Sequence, residues 1–383
     1  MTLPPQGPYG SQPAGGGGPQ WGGPPPQGPG GQPPYGPPGG QWSQQPWGAP
    51  PPLNNGGKGK WILVGLALVA IIAVSIVGTV LVLRPDSGGG NGQKNTANSD
   101  SEFASANDTG PANIITEDPT CEAWGKISDG LEAAVPGWNE QNYSIPAKDW
   151  TPEQRTIFEK KGAALTDAIP NVTNLAKQTP HRVMRELYSQ YVAYARAVID
   201  VIPNYSSDDN YTVGASNQLA GALNRICDAI YFRSAQQTAP LISAPPSPPD
   251  VRAPDSDGVS EPEKFLNGRN DTCANWFAAA ERFDKDTEAW RQISAKIPST
   301  EWSRDQKAVM DAVVPVMTAF SDEMEQMGRK SQNPIWDDFA TLAAQYLRAY
   351  VRGIPTYTVN IGYLSSASTS ISNTVYWACK AVS

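Results

Sequence analysis

Residues 149–154 read DWTPEQ, and 152 positions further on residues 301–306 read EWSRDQ. Each phrase is an acid, a Trp, a hydroxyl residue, two variable positions and a Gln. Locally this is a capping box, in which the hydroxyl accepts from the third amide of a new helix and the Gln reaches back to the amide of the cap. Thr151 and Ser303 are the expected caps, with Pro152 at the tolerant first helical position. The same offset recurs on the rarest residue types of the chain. Cys121 falls on Cys273, Trp124 on Trp276, Trp138 on Trp290, Trp150 on Trp302 and Cys227 on Cys379, while IPNY at 202–205 falls on IPTY at 354–357. A fixed offset carried by Trp and Cys marks a duplicated unit, so one fold has to serve two diverged sequences. In one place the register slips. SQYVAY at 189–194 and AAQYLRAY at 343–350 align at 155, which predicts short compensating insertions and deletions inside the copy.

Apolar residues keep helical spacing within each copy. Trp124, Ile127, Leu131, Val135 and Trp138 recur at three and four, matched by Trp276, Ala279, Phe283, Thr287 and Trp290. A second helix follows each capping box, with Phe158, Leu165, Val172 and Leu175 in one copy and Met310, Met317, Phe320, Met324 and Met327 in the other. A third is expected from about Pro180 to Ile202, and a fourth carries Leu219, Leu223, Ile226 and Cys227. The expected fold is all-α, with two tandem four-helix bundles of up-down-up-down topology. In that topology the first helix begins at the end where the fourth finishes. Of the three connectivities open to four cysteines, this pairs Cys121 with Cys227 and Cys273 with Cys379. Trp124, Trp138, Trp150, Trp276, Trp290 and Trp302 are then core and cap residues first, and platforms for a ligand or partner second.

Upstream of the duplication the chain changes character twice. Residues 1–57 hold 17 Pro, 17 Gly, eight Gln and no charge, a composition that cannot bury enough apolar surface to offset its ordering entropy. They read as a disordered tail. Residues 61–83 form an uncharged apolar run of 23, about 35 Å as a helix and enough to cross a bilayer core of roughly 30 Å. The run starts too far from Met1 for a cleaved signal peptide and reads as a signal anchor. Lys58 and Lys60 before it are balanced by Arg84 and Lys94 after it, so charge alone leaves orientation open. The four cysteines all follow the run, which suits an oxidising compartment on that side. The expectation is a single-pass plasma-membrane protein with a cytoplasmic N-terminus and an extracytoplasmic C-terminal part. That part divides into a flexible stalk at 84–117, a repeat at 118–233, a Pro-rich linker at 234–270 and a second repeat at 271–383.

The outer part holds all 37 acids and 27 of the 29 Lys and Arg, a formal charge of about −10 that argues against a nucleic-acid partner. His181 is the one histidine, with no GxSxG elbow, phosphate loop or dinucleotide fingerprint elsewhere, so no cofactor, metal or catalytic residue is assigned. The acids of SDEMEQM at 321–327 read as a solvated face. The charge-free tail with its PYG and QW phrases, the KGK before the apolar run and the Cys-paired outer part resemble the single-pass envelope proteins common in mycobacteria and related actinobacteria. That resemblance covers residues 1 to about 95 and implies a plasma-membrane protein facing the cell wall. The leading expectation is a non-enzymatic interaction or scaffold protein. It would hold a protein or envelope component on the outer side, with a cytosolic partner for the Pro-rich tail. A lipid- or glycan-binding domain is the alternative, and an envelope hydrolase using His181 stands third.

Overall fold

The computed structural model describes residues 102–249, 251, 254 and 261–383. The tail at 1–57 and the apolar run at 61–83 lie outside them, and among the described residues no helix is long and apolar enough to cross a membrane. These residues form ten α-helices and no strand. The first copy supplies α1 (Cys121–Ala134), α2 (Pro152–Gln178), α3 (Arg182–Val201), α4 (Asn210–Tyr231) and the short α5 (Ser234–Thr238). The second supplies α6 (Thr272–Asp286), α7 (Glu288–Arg291), α8 (Arg304–Lys330), α9 (Pro334–Gly353) and α10 (Gly362–Ala381).

Both capping boxes form. The Gln154 amide donates to Thr151 Oγ1 at 3.2 Å and the Thr151 amide to Gln154 Oε1 at 3.0 Å. Ser303 and Gln306 repeat the exchange at 2.9 and 3.2 Å. The Trp before each cap reaches back over the turn, Trp150 Nε1 to the Ile145 carbonyl at 2.8 Å and Trp302 Nε1 to that of Ile297 at 3.0 Å. The IPNY and IPTY phrases do matched work too. Pro203 and Pro355 lack the amide that would extend the helix, and a single 3-10 turn redirects the chain at each. Tyr205 and Tyr357 then donate to the carbonyls of Tyr143 and Ala295 at 2.7 and 2.9 Å. In each copy the first helix packs on the second, the second on the third, the third on the fourth and the fourth back on the first. Both disulfides pair as the topology requires, Cys121 with Cys227 and Cys273 with Cys379.

Three expectations change. The register does not slip, because α3 and α9 both run 20 residues and their ends stay 152 apart. What moves is the aromatic load. Trp124 packs on Tyr188 and Tyr191, ring centroids 5.8 and 5.3 Å away, whereas Trp276 packs on Trp336 at 5.7 Å, one turn earlier in its helix. A sequence match on QY followed the chemistry of the contact rather than the position of the backbone. Secondly, the copies are not separate bundles. α4 and α10 pack along their length, and their contacts run in opposite order: Gly214 lies against Trp377 and Gly221 against Ser370, so the helices are antiparallel. A Cβ on Gly214 would sit 2.5 Å from the Trp377 ring, which is why that position needs glycine for so close an approach. Buried residues of both copies form one continuous core.

Thirdly, the stretches outside the repeats are tied down where they are described. Residues 102–117 were expected to end a flexible stalk, yet Phe103, Ala112, Ile114 and Ile115 are buried, and the Ala104 amide donates to the Lys177 carbonyl at 2.9 Å. At the far end of the expected linker, Phe265 and Leu266 are buried, and the Phe265 amide donates to Gln190 Oε1 at 2.8 Å. At its start α5 packs against α9 of the other copy. Apolar side chains embedded in polar, Pro-rich stretches are the reason, since each finds core to cover.

Candidate functional site

All six tryptophans singled out by the duplication are buried. Five serve the core and the caps alone, and a partner cannot lie on them directly. Trp290 differs in also lining a cleft. Its Nε1 donates to the Tyr350 hydroxyl at 2.9 Å, where its counterpart Trp138 donates to Asn217 Oδ1 at 3.2 Å. The cleft lies among the four long helices of the second copy. Phe283, Phe320, Trp290 and Leu347 form its apolar side, and Ser365, Ser368, Thr369, Ser372 and Asn373 of α10 its polar side. Its enclosed volume is about 50 Å³.

The two copies meet at a second concentration of chemistry, which sequence reading missed. Glu186 of α3 and Asp338 of α9 occupy equivalent positions, 152 apart. The duplication therefore brings two acids toward each other at the contact of α3 with α9. Arg182 joins them. Its Nε and Nη2 donate to Asp338 Oδ2 and Oδ1 at 2.8 and 2.7 Å, and Glu186 Oε1 lies 3.9 Å from its Nε. The remaining Nη1 donates to the carbonyls of Asp108 and Gly110 at 3.3 and 2.9 Å, while Arg185 Nη1 donates to Ser105 Oγ at 2.8 Å. The segment before α1 thus crosses the seam and satisfies both arginines. Their counterparts in the second copy are Pro334 and Asp337, so the bases come from one copy and the extra acid from the other. An acid at the same position in both copies, one turn after Arg182 in the first, was the signal that could have located the cluster.

Burial sets its electrostatics. The Glu186 carboxyl is pushed well above the usual carboxylate range, chiefly by burial and then by the charge of Asp338, against the pull of both arginines. Asp337 is also raised, again first by burial. Burial works against the Arg182 charge, but its hydrogen bonds and ion pair with Asp338 outweigh that and hold the guanidinium firmly protonated. The crevice beside Asp337 and Asp338 has no volume for even one water. Glu186 and Asp338, with Arg182 between them, clamp α3 to α9 across the seam. His181, at the start of α3, places Nε2 at 2.8 Å from the Glu117 carbonyl and so donates to main chain. The acids of 321–327 lie on a solvated face and form ion pairs there, Asp322 with Arg348 at 2.7 Å and Glu323 with Arg282 at 2.5 Å.

A half-buried cation lies outside both places. Lys161 of α2 sits with its ammonium 5.0 Å from the centre of the Trp138 ring, and burial pushes its pKa down to about 8 from 10.5. Its counterpart in the second copy is the buried Val313. For a base whose folded pKa is depressed, the penalty is complete below about pH 8 and is relieved as pH rises toward 10.5. Lys161→Met is therefore expected to raise stability by about 1–2 kcal/mol at pH 7, after allowance for the ring contact and partial exposure. The gain should fade between pH 8 and 10.5, and urea unfolding across that range checks it. A gain unchanged with pH would trace to packing rather than charge.

Comparison with known proteins adds a family. Residues 103–383 match the family described as Mycobacterial ESX-1 associated protein. An uncharacterized protein of Mycolicibacterium smegmatis (strain MKD8) is 39% identical over 345 residues, covering 88% of this chain and 90% of the relative. That alignment is longer than the 103–383 span and so reaches into the N-terminal region. No solved structure matches. The family span coincides with the duplicated, disulfide-closed helical core and the segment that crosses its seam, and on that match the chain belongs to the Mycobacterial ESX-1 associated protein family.

Proposed function

We propose that the protein is a non-enzymatic interaction component of the mycobacterial envelope, anchored by residues 61–83, with its duplicated helical domain outside the plasma membrane and its Pro-rich tail inside. The family description ties it to ESX-1, and on this reading its partners are proteins of that secretion system. The two disulfides support an oxidising compartment for the folded domain. The observation that carries the interaction role is an exposed aromatic cluster at the seam. Phe232, just past the end of α4, stacks on Tyr363 of α10 with centroids 4.9 Å apart and planes 4° from parallel. Tyr231 packs edge-on against Phe232 and is 63% exposed. A rigid aromatic group held at the surface by both copies is the kind of anchor that protein interfaces use.

The test is a photo-crosslinking residue at position 231 in full-length protein expressed in intact mycobacteria. The expected result is one reproducible extracytoplasmic protein adduct, lost on Phe232→Asp with both disulfides retained. Adducts only with cytosolic proteins would overturn the orientation. No reproducible adduct, with undiminished secretion in the Phe232→Asp strain, would overturn the interaction role.

A further inference from the structure

The cleft beside Trp290 is lined by the second copy, and several of its residues differ from their counterparts in the first. Where the second copy has Ser365, Ser372, Asn373 and Thr287, the first has Val213, Ala220, Gly221 and Val135 at the equivalent positions. Ser368 and Thr369 correspond to Ser216 and Asn217, so that part of the wall is polar in both copies, and the second copy adds the other four polar residues to it. Ser368 is 3% exposed, lines the cleft and makes no side-chain hydrogen bond among the described residues, and the same is true of the side chains of Thr369 and Asn373 apart from their greater exposure. Buried hydroxyls normally find a partner. Ser368, with the half-buried Thr369 and Asn373 beside it, leaves polar groups on the cleft wall that a partner from outside the chain can reach.

The opposite wall limits what that partner can be. Phe283 and Phe320 stack at 4.2 Å and, with Trp290 and Leu347, offer an aromatic and apolar surface. The only charged groups are Asp284 and Arg291, which neutralise each other. Arg291 Nη1 holds the Asp284 carboxylate at 2.5 Å and also donates to Thr287 Oγ1 at 2.9 Å. The lining is thus electrically neutral, and a charged ligand would find no counter-ion. A lipid chain would strand the hydroxyls against hydrocarbon. About 50 Å³ accepts roughly three or four waters or one edge of a small ring, entering from the open side. A hydroxyl-bearing edge facing hydroxyls and an amide, with C–H groups facing an aromatic wall, is how a neutral sugar ring presents itself.

We propose that this cleft is a binding subsite for one neutral sugar unit, with Ser368, Thr369 and Asn373 as its hydrogen-bonding residues and Trp290 and Phe283 as its apolar wall. The site does not depend on the interaction role proposed above, because Tyr231 and Phe232 are absent from its lining. The experiment titrates full-length protein in phosphatidylcholine nanodiscs, free of glycoside detergents, with glucose, galactose, mannose and arabinose, and with glucosamine and glucuronate as charged controls. Saturation-transfer NMR should show saturable millimolar binding of at least one neutral sugar and at least tenfold weaker binding of both charged ones. The variant Ser365→Val/Thr369→Asn/Ser372→Ala, which installs the residues of the first copy, should lose binding at least tenfold. Ser368→Ala should weaken it severalfold with the Cys273–Cys379 bridge and the unfolding midpoint unchanged. Binding of no neutral sugar, equal binding by the three-residue variant, or preferential binding of a short peptide or fatty acid would overturn the assignment.

Discussion

Replacing Cys227 by alanine is expected to lower stability by about 4–5 kcal/mol, and replacing Cys379 as well to double the loss. Each bridge spans 106 residues. In the chain-entropy account, opening a loop of about 100 residues releases roughly 4.7 kcal/mol of unfolded-state constraint, a value that depends on that account. The two bridges lie in different copies and share no residue, so their effects should add. A combined loss of about 8–10 kcal/mol is most of the 5–15 kcal/mol that folded domains have to spare. The double variant should therefore be unfolded or proteolysed at growth temperature, while each single variant folds with a lowered midpoint. Urea unfolding of the single variants, with peptide mapping under non-reducing conditions for the remaining bridge, measures this. A single-variant loss below about 1 kcal/mol would mean that native packing alone constrains the ends of α1 and α4.

The bridges were readable in advance because two physical facts leave traces in single letters. Helix periodicity shows in Trp and Leu spacing, and the up-down-up-down order then decides which ends meet. The capping boxes were readable for a similar reason, since cap, amide and Gln lie within four residues of each other. The seam was not. That α4 and α10 pack on each other depends on Gly214 and Gly221 allowing close approach, and a glycine in a helix carries no label saying what approaches it. The strap at 102–117 was hidden by composition. Four buried apolar residues among Ser, Asn, Asp and Gly are too few to raise the average, yet each covers core. The Trp residues were legible for the same reason as the caps. Their spacing gave core and cap roles first, and all six are buried, with Trp290 also lining the cleft.

Duplication explains the clamp and the cleft by one route. Both begin from equivalent positions that the two copies no longer treat alike. At the seam, one ancestral acid became Glu186 and Asp338, which meet across the contact of α3 with α9. Two buried carboxylates repel and are both short of solvent, so the contact holds only with a cation between them. Arg182 supplies it from one copy alone. In the cleft, α10 carries Ser365 and Ser372 where α4 carries Val213 and Ala220. Asymmetry in a duplicated protein is thus a guide to where a site has been built, as symmetry is a guide to where the fold is carried.

Arg182→Met is accordingly expected to destabilise the domain by about 3–5 kcal/mol at pH 7, the range for removing one partner of a buried ion pair. The methionine keeps much of the side-chain volume, so little of this is a cavity effect. What is lost are both donors to Asp338, the ion pair with Glu186 and the bonds that hold the Asp108 and Gly110 carbonyls across the seam. Two acids then remain buried beside Arg185, whose own charge burial already opposes. For a domain of this size the loss corresponds to a fall in melting temperature of roughly 10 °C. The pH dependence separates charge from shape. A carboxyl whose folded pKa is raised contributes stability that is complete below the unfolded value near 4.5 and is lost as pH rises through the folded value. Without Arg182 the pull that holds Glu186 ionised weakens, so the deficit should be largest at neutral pH and shrink toward pH 4. Glu186→Gln and Asp338→Asn, added to Arg182→Met, should restore most of the loss at pH 7, because the amides remove the buried charge and keep the shape. Calorimetric melting of the three proteins between pH 4 and 8 tests this. A deficit that is the same at every pH, and unrelieved by the amides, would show that Arg182 acts through its contacts with the segment before α1 rather than through the two acids.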